Sequence, residues 1–199
     1  TMKDGMLDDN VNALAVDGDF VWFGGPAGLS LVSKGTWTWR NYTTAGGLCS
    51  QNVTCLAAAG ERLFIGTSEG LCVLDKGRQQ FTRLGVKEGL ADDFVTSMAV
   101  DGQFVIIGTK KSSLSVYDAD AGSFRQLSPQ EQMYRNDAVT VQGSRIWSGT
   151  HGGGIRTFDR YSQKWQSYTS TDGLGGDFLN TIITDGAVIW CGTFEGITS

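Results

Sequence analysis

Proline is nearly absent from this 199-residue chain, with 2 residues, and histidine occurs once, at His151. No apolar run approaches the roughly 20 residues that cross a bilayer as a helix, so no such span is expected. The N-terminal stretch Thr1 to Asn10 is polar and lacks an apolar segment of signal-peptide type. Basic clustering stops at Lys110-Lys111, and the formal net charge is −5. An acidic surface without a basic stripe releases no counterions from a phosphate backbone, which sets nucleic acid aside as a partner. The 4 cysteines form no C-x-x-C pair, and no histidine follows them at ligand spacing, so neither a structural zinc site nor another cofactor is expected. Cys55, Cys72 and Cys191 fall within apolar strand patterns, where a thiol behaves as a small hydrophobe. Reduced thiols are the expectation, and a Cys49–Cys55 bridge is the one local disulfide left open. Walker, G-x-S-x-G and H-E-x-x-H motifs are missing too.

What the chain has in excess is glycine, at 28 residues. Glycines recur at Gly18, Gly60, Gly102, Gly143 and Gly186, with spacings of 42, 42, 41 and 43, and a second set at Gly24, Gly66, Gly108, Gly149 and Gly192 keeps the same spacings. Two registers that drift together mark an internal repeat. Each unit opens near a Gly-Leu-like pair (Gly5-Met6, Gly47-Leu48, Gly89-Leu90, Gly173-Leu174) and continues into an alternating strand such as Val53 to Ala58. Asp17-Gly18, Asp101-Gly102 and Asp185-Gly186 then predict hairpin turns, because glycine accepts positive φ. A more apolar second strand follows, ending in Gly-Gly or Gly-Thr. Third strands are expected near Leu29, Leu71, Leu114, Ile155 and Ile197, and fourth strands carry Trp37 and Trp39, Phe81, Phe124, and Trp165 with Tyr168.

Four short antiparallel strands per repeat of about 42 residues predict an all-β fold, a β-propeller with four full blades and a partial fifth. The blades are placed at about 4–45, 46–87, 88–130, 131–171 and 172–199 of one propeller domain. Helical repeats are excluded because no window sustains an i, i+3, i+4 apolar stripe. The partial fifth unit is compatible with a nearly closed ring or with a segment of a larger propeller. Trp22, Phe64, Ile106, Trp147 and Trp190 hold equivalent second-strand positions, so they are expected to pack between blades, with the 6 tryptophans mostly core.

In propellers the interblade links and the second-to-third-strand turns share the face around the central channel, where concave sites form. That placement makes Asp8, Asp9, Asn52, Asp92, Asp93, Arg135 and Asp177 from the links, and Glu69, Lys110, Lys111, His151 and Glu195 from the turns, the candidate ligand-binding residues. A small polar ligand, glycan, peptide or protein partner would suit them. The aspartates could instead hold a hard cation, but no D-x-D-x-D-G loop is present and aspartate also closes Asx-turns. His151 could serve as an acid–base residue, although no partner is evident in the sequence.

The units resemble the two-component regulator propeller repeats, whose pattern runs Gly-Leu, polar segment, apolar strand, Asp-Gly, Leu/Val-Trp-x-Gly-Thr, Gly-Gly-Leu, then Asp and an aromatic. Ile146-Trp-Ser-Gly-Thr-His-Gly-Gly-Gly-Ile155 and Asp172 to Ser199 carry the resemblance best. Ile106 in place of tryptophan, Lys110-Lys-Ser-Ser113 in place of the glycine-rich turn, and Gln132-Met133 in place of Gly-Leu depart from it. The resemblance implies a sensor region of a bacterial two-component signalling protein, periplasmic or extracellular, with the cytoplasm as the alternative. It brings no ligand residues with it. The missing catalytic motifs argue against an enzyme, and a protein-interaction scaffold and a propeller lyase or hydrolase are the alternative readings.

Overall fold

The computed structural model describes residues 1–111, 113–127 and 134–199; Ser112 and the Gln132-Met133 opening of the fourth unit lie outside the described residues. Alternation and glycine punctuation produce antiparallel meanders in strict sequence order. The first sheet comprises β1 (Ala13–Asp17), β2 (Phe20–Gly25), β3 (Gly28–Ser33) and β4 (Trp39–Tyr42). In the second are β5 (Val53–Ala59), β6 (Arg62–Thr67), β7 (Gly70–Asp75) and β8 (Gln80–Leu84). The third is β9 (Val95–Asp101), β10 (Phe104–Thr109), β11 (Leu114–Asp118) and β12 (Ser123–Leu127). The fourth is β13 (Asn136–Gln142), β14 (Arg145–Thr150), β15 (Ile155–Asp159) and β16 (Lys164–Tyr168). Three strands form the last sheet: β17 (Leu179–Asp185), β18 (Val188–Thr193) and β19 (Ile197–Thr198).

The chain forms two compact units. Thr1–Val95 holds the first two sheets, and Thr96–Ser199 holds the other three save Val95 at the start of β9. In the first unit, Trp22, Leu29, Val53, Leu63 and Leu74 meet in one buried cluster. In the second unit, Ile106, Val116, Val139 and Ile146 form one cluster, and Ala138, Ile155, Leu179 and Ile182 form another.

Both glycine registers have a physical cause. Members of the first sit at turns with φ of +52° to +60°, where a side chain costs about 1 kcal/mol or more. The second register is a matter of space. A Cβ on Gly24 would lie 2.3 Å from Cγ1 of Val53, and one on Gly149 would lie 2.9 Å from Cβ of Leu179. In each case the obstacle is the first buried side chain of the following sheet. Threonine after the glycine is buried and ties the turn: Thr67 Oγ1 donates to Gly70 O at 2.7 Å, and Thr150 Oγ1 to Gly154 O at 2.8 Å. The aspartate that ends the third strand of the third and fourth sheets caps the next turn. Asp118 accepts from the Ala121 and Asp120 N–H groups, Asp159 from those of Ser162 and Tyr161, and these bonds hold both carboxyls below their ordinary pKa.

Neighbouring sheets are also stitched by a repeated hydrogen bond. Asn12 Nδ2 donates to Val53 O at 3.0 Å and Thr54 Oγ1 to Val95 O at 2.7 Å, while Thr96 Oγ1 reaches Asn136 O. An ion pair recurs as well. Lys76 Nζ lies 2.7 Å from Asp17 Oδ2, and Arg160 Nη1 lies 2.5 Å from Asp101 Oδ2. Burial alone would raise the Asp17 carboxyl, but hydrogen bonds from Lys76 and the Trp22 indole outweigh it and keep its pKa low.

Two expectations are corrected. The tryptophans are not mostly core: Trp22 is 3% exposed, but Trp190 is 41% and Trp37 71% exposed. Phe64 and Ile106 are buried like Trp22, with Trp147 half-buried. Trp190 differs because it sits in the three-stranded sheet, beside a still more exposed cross-strand partner, Ile183. Trp37 lies before β4, in a turn at φ 54°, not in the strand.

The cysteines are not all reduced, and the bridge is Cys49–Cys72 rather than Cys49–Cys55. The reason lies in the repeat. Leu7 N donates to Ser30 Oγ at 3.1 Å, and Gly175 N to Thr198 Oγ1 at 2.8 Å. Cys49 and Cys72 occupy the same two repeat positions, so a hydrogen-bonded tie has become covalent. The free thiols are inert by comparison: burial pushes Cys55 up to about 12 and raises Cys191. A Cys49→Ala/Cys72→Ser variant is expected to lose about 3 kcal/mol, a melting temperature drop of roughly 5–10 °C. Differential scanning calorimetry should show dithiothreitol lowering the wild-type transition and leaving the variant unmoved; equal effects on both would contradict the bridge.

Candidate functional site

A bulge at the start of β5, β13 and β17 sets up the site. Register slips between Val53 and Cys55, between Asn136 and Ala138, and between Leu179 and Thr181, which leaves Thr54, Asp137 and Asn180 as bulge residues. A bulge re-aims its side chain. Asn12, Thr54 and Thr96 use this position to donate to the backbone of the following sheet, as described above. Asp137 stands at the equivalent position of the fourth sheet, and an ionised carboxylate has no proton to give a carbonyl. It turns instead to two donors. Arg135 Nε lies 2.5 Å from Asp137 Oδ1 and Nη2 lies 3.0 Å from Oδ2, a two-pronged pair. His151 Nδ1 lies 3.0 Å from the same Oδ2 and 3.4 Å from Arg135 Nη2.

Backbone bonds fix His151 in place. Its N–H donates to Arg135 O, and it bridges to Phe178. The N–H groups of Gly152 and Gly154 both donate to Asp177 O, and a Cβ on Gly152 would press on the Phe178 ring at 3.2 Å. The imidazole meets that ring edge-on at 5.1 Å, and Phe194 follows at 6.2 Å. Asp137 is largely buried, whereas His151 is open to solvent. When Nδ1 carries the proton and donates it to the carboxylate, Nε2 is left with its lone pair. In that tautomer the arrangement can accept a hydrogen bond at Nε2 and offer guanidinium donors and two aromatic surfaces beside it. No hydroxyl or thiol is bonded to His151 among the described residues.

Of the sequence candidates, the structure brings together Arg135 and His151, with the backbone of Asp177 supporting them. Several others do local structural work. Asp9, Asp93 and Asp177 each accept, through Oδ1, the N–H of a residue seven positions earlier: Met2, Val86 and Ser170, at 2.7, 2.9 and 2.6 Å. They cap the short 3-10 turns that precede the links. Asp8 closes an Asx-turn onto Asn10. Asn52 receives Ser68 N–H on its carbonyl, and Glu69 accepts from Ser50 Oγ at 3.3 Å. Asp92 is half-buried, Lys110 and Lys111 are exposed, and Glu195 lies over Gly176. Among the described residues no three His, Cys, Asp or Glu side chains are grouped to hold a metal.

Sequence reading missed Asp137 and Phe178, while Phe194 lies in a second-to-third-strand turn of the kind it pointed to. The signal for Asp137 was available: it is the one acidic residue in the register Asn12, Thr54, Thr96, Asp137, Asn180. Asn136 was also missed. It is buried where Val53 and Leu179 stand in other sheets; its Oδ1 accepts from Ser148 Oγ at 2.7 Å, and its Nδ2 has no partner among the described residues.

No protein-family model matches the chain, and no curated protein matches it by sequence. Solved structures do. The extracellular domain assigned to the hybrid two-component system BT4673 of B. thetaiotaomicron superposes with a TM-score of 0.82 at 24% identity, covering 94% of this chain and 26% of that one. The corresponding domain of BT3049 from the same organism gives 0.83 at 16% identity, covering 99% and 29%. A computationally designed protein, Ika4, gives 0.64 at 20% identity over 76% of this chain and 92% of its own. The chain thus spans little more than a quarter of the natural structures it matches. The fold is all-β, with four four-stranded blades and a three-stranded fifth of β-propeller type.

Because His151 is the only histidine, its tautomer can be read without assignment. Long-range 15N spectra at pH 8 are expected to show the Nδ1–H form in the wild type and a shift toward Nε2–H in Asp137→Asn. An Nε2–H wild type would remove the dyad.

Proposed function

We propose that this chain is the ligand-binding part of an extracytoplasmic sensor propeller, of the kind that feeds a bacterial two-component signalling system. The observation that carries the reading is the superposition of nearly the whole chain on two extracellular domains assigned to hybrid two-component systems. The Cys49–Cys72 bridge supports the compartment, since structural disulfides persist in oxidising surroundings and are rare in the cytosol. Arg135, His151 and Asp137, flanked by Phe178 and Phe194, are the proposed recognition surface, suited to a polar ligand such as a glycan or peptide.

A second reading is favoured by one observation, the His151–Asp137 contact. A lyase or hydrolase could use Nε2 as its base, with Asp137 holding the tautomer. A propeller scaffold for a protein partner would use the exposed Phe178 and Phe194 rings instead.

Thermal shift against oligosaccharides, peptides and divalent cations separates these readings. Sensing predicts a ligand that raises the melting temperature in step with its concentration, with the shift lost in Arg135→Ala and His151→Ala. Turnover abolished by His151→Ala would favour the enzyme. A panel without any shift would overturn the sensor reading.

A further inference from the structure

The first unit contains a cavity of about 400 Å³ that the proposed sensor surface does not use. Its floor is one face of the first sheet. Strand register sets Trp22 opposite Leu31 and Leu31 opposite Arg40, with a second row in which Phe20 lies opposite both Asp17 and Ser33. Lys76 and Gln79, from the turn between the third and fourth strands of the second sheet, form the wall.

The lining charges are unequal in what they have left to bind. Asp17 is engaged by Lys76 at 2.7 Å and by the Trp22 indole at 3.2 Å. Gln79 is committed too: it accepts from Tyr42 Oη at 3.1 Å and donates to Lys76 O at 2.6 Å. Arg40 is different. Its guanidinium is held over the Tyr42 ring, 5.0 Å from the centroid, and has no carboxylate partner among the described residues. This contact holds the guanidinium beside the ring while leaving N–H donors for a ligand. Arg40 and Lys76 against Asp17 give the lining a surplus of one positive charge, on a chain whose net charge is −5. Beside Arg40 the floor is apolar and only partly covered: Trp22 lies at 3% exposure, but Phe20 at 44%.

An apolar floor next to a guanidinium that has no carboxylate partner among the described residues selects a ring with an anionic substituent. We propose that this cavity binds a small ring compound carrying a single carboxylate, with the ring on Phe20 and Leu31 and the carboxylate on Arg40. The volume falls within the range of small-molecule sites, about 300–1,000 Å³. Aromatic acids and sugar acids share this chemistry and can be told apart by titration.

Calorimetric titration with phenylacetate and with glucuronate, using neutral phenylacetamide as control, tests the site. One of the acids should bind with a dissociation constant of about 1 mM or tighter, as expected for a ligand of about ten heavy atoms. Arg40→Gln should weaken that acid about tenfold or more and leave phenylacetamide unchanged, and Arg40→Lys should recover part of the loss. Arg40 is exposed, so these variants should keep the wild-type melting temperature. The bound acid should shift the Trp22 indole N–H resonance, and His151→Ala should not alter its affinity. Failure of both acids to bind below about 10 mM, equal binding of acid and amide, or an affinity indifferent to Arg40→Gln would each overturn the proposal.

Discussion

At Gly24, Gly108 and Gly149 a sheet approaches the next one so closely that only hydrogen fits. At Gly24 and Gly149, the first buried side chain of the following sheet, Val53 or Leu179, occupies the space a Cβ would need. Everything else in the repeat serves this contact. The turn glycines bring the second strand back beside the first, the buried threonine ends that strand at the right residue, and the hydrogen bonds from Asn12 and Thr96 tie a sheet to the next one within each unit. Hydrophobic burial supplies the driving force. The glycine contact makes it specific to one spacing.

A repeat of this kind also generates its own exceptions. A position that carries a hydrogen bond in two repeats carries a disulfide in a third, because Cys49 and Cys72 stand where Leu7 with Ser30 and Gly175 with Thr198 meet. At the bulge position, a donor to the next sheet is replaced in the fourth sheet by Asp137, which gathers Arg135 and His151 instead. Where stability tolerates a departure from the pattern, the side chain is released for other chemistry. The proposed recognition surface is one such place.

Much of the fold was legible because its causes are local in the chain. Positive φ at Gly18 and its equivalents, alternation along β5 and the Gly-Thr ending of β6 all write themselves into neighbouring residues. The burial of tryptophan did not, because it depends on what lies across from the strand: Trp22 and Trp190 share a repeat position and differ from 3% to 41% exposure. Pairing of Cys49 with Cys72 required knowing that two positions 23 residues apart touch. The carboxylates of the links read equally well as ligands or turns, and only coordinates distinguish Asp9 and Asp93, spent on backbone N–H groups, from Asp137, spent on side chains.

The most direct test is a double-mutant cycle on Gly24→Ala and Val53→Ala, with Gly35→Ala as a control in open space. Each of the first two changes should destabilise the protein by about 1–3 kcal/mol, one by overpacking and one by loss of a buried methyl pair. Combined, they should cost at least about 1 kcal/mol less than their sum, because the smaller side chain makes room for the new methyl. Additive losses, or a Gly24→Ala variant as stable as Gly35→Ala, would contradict the account.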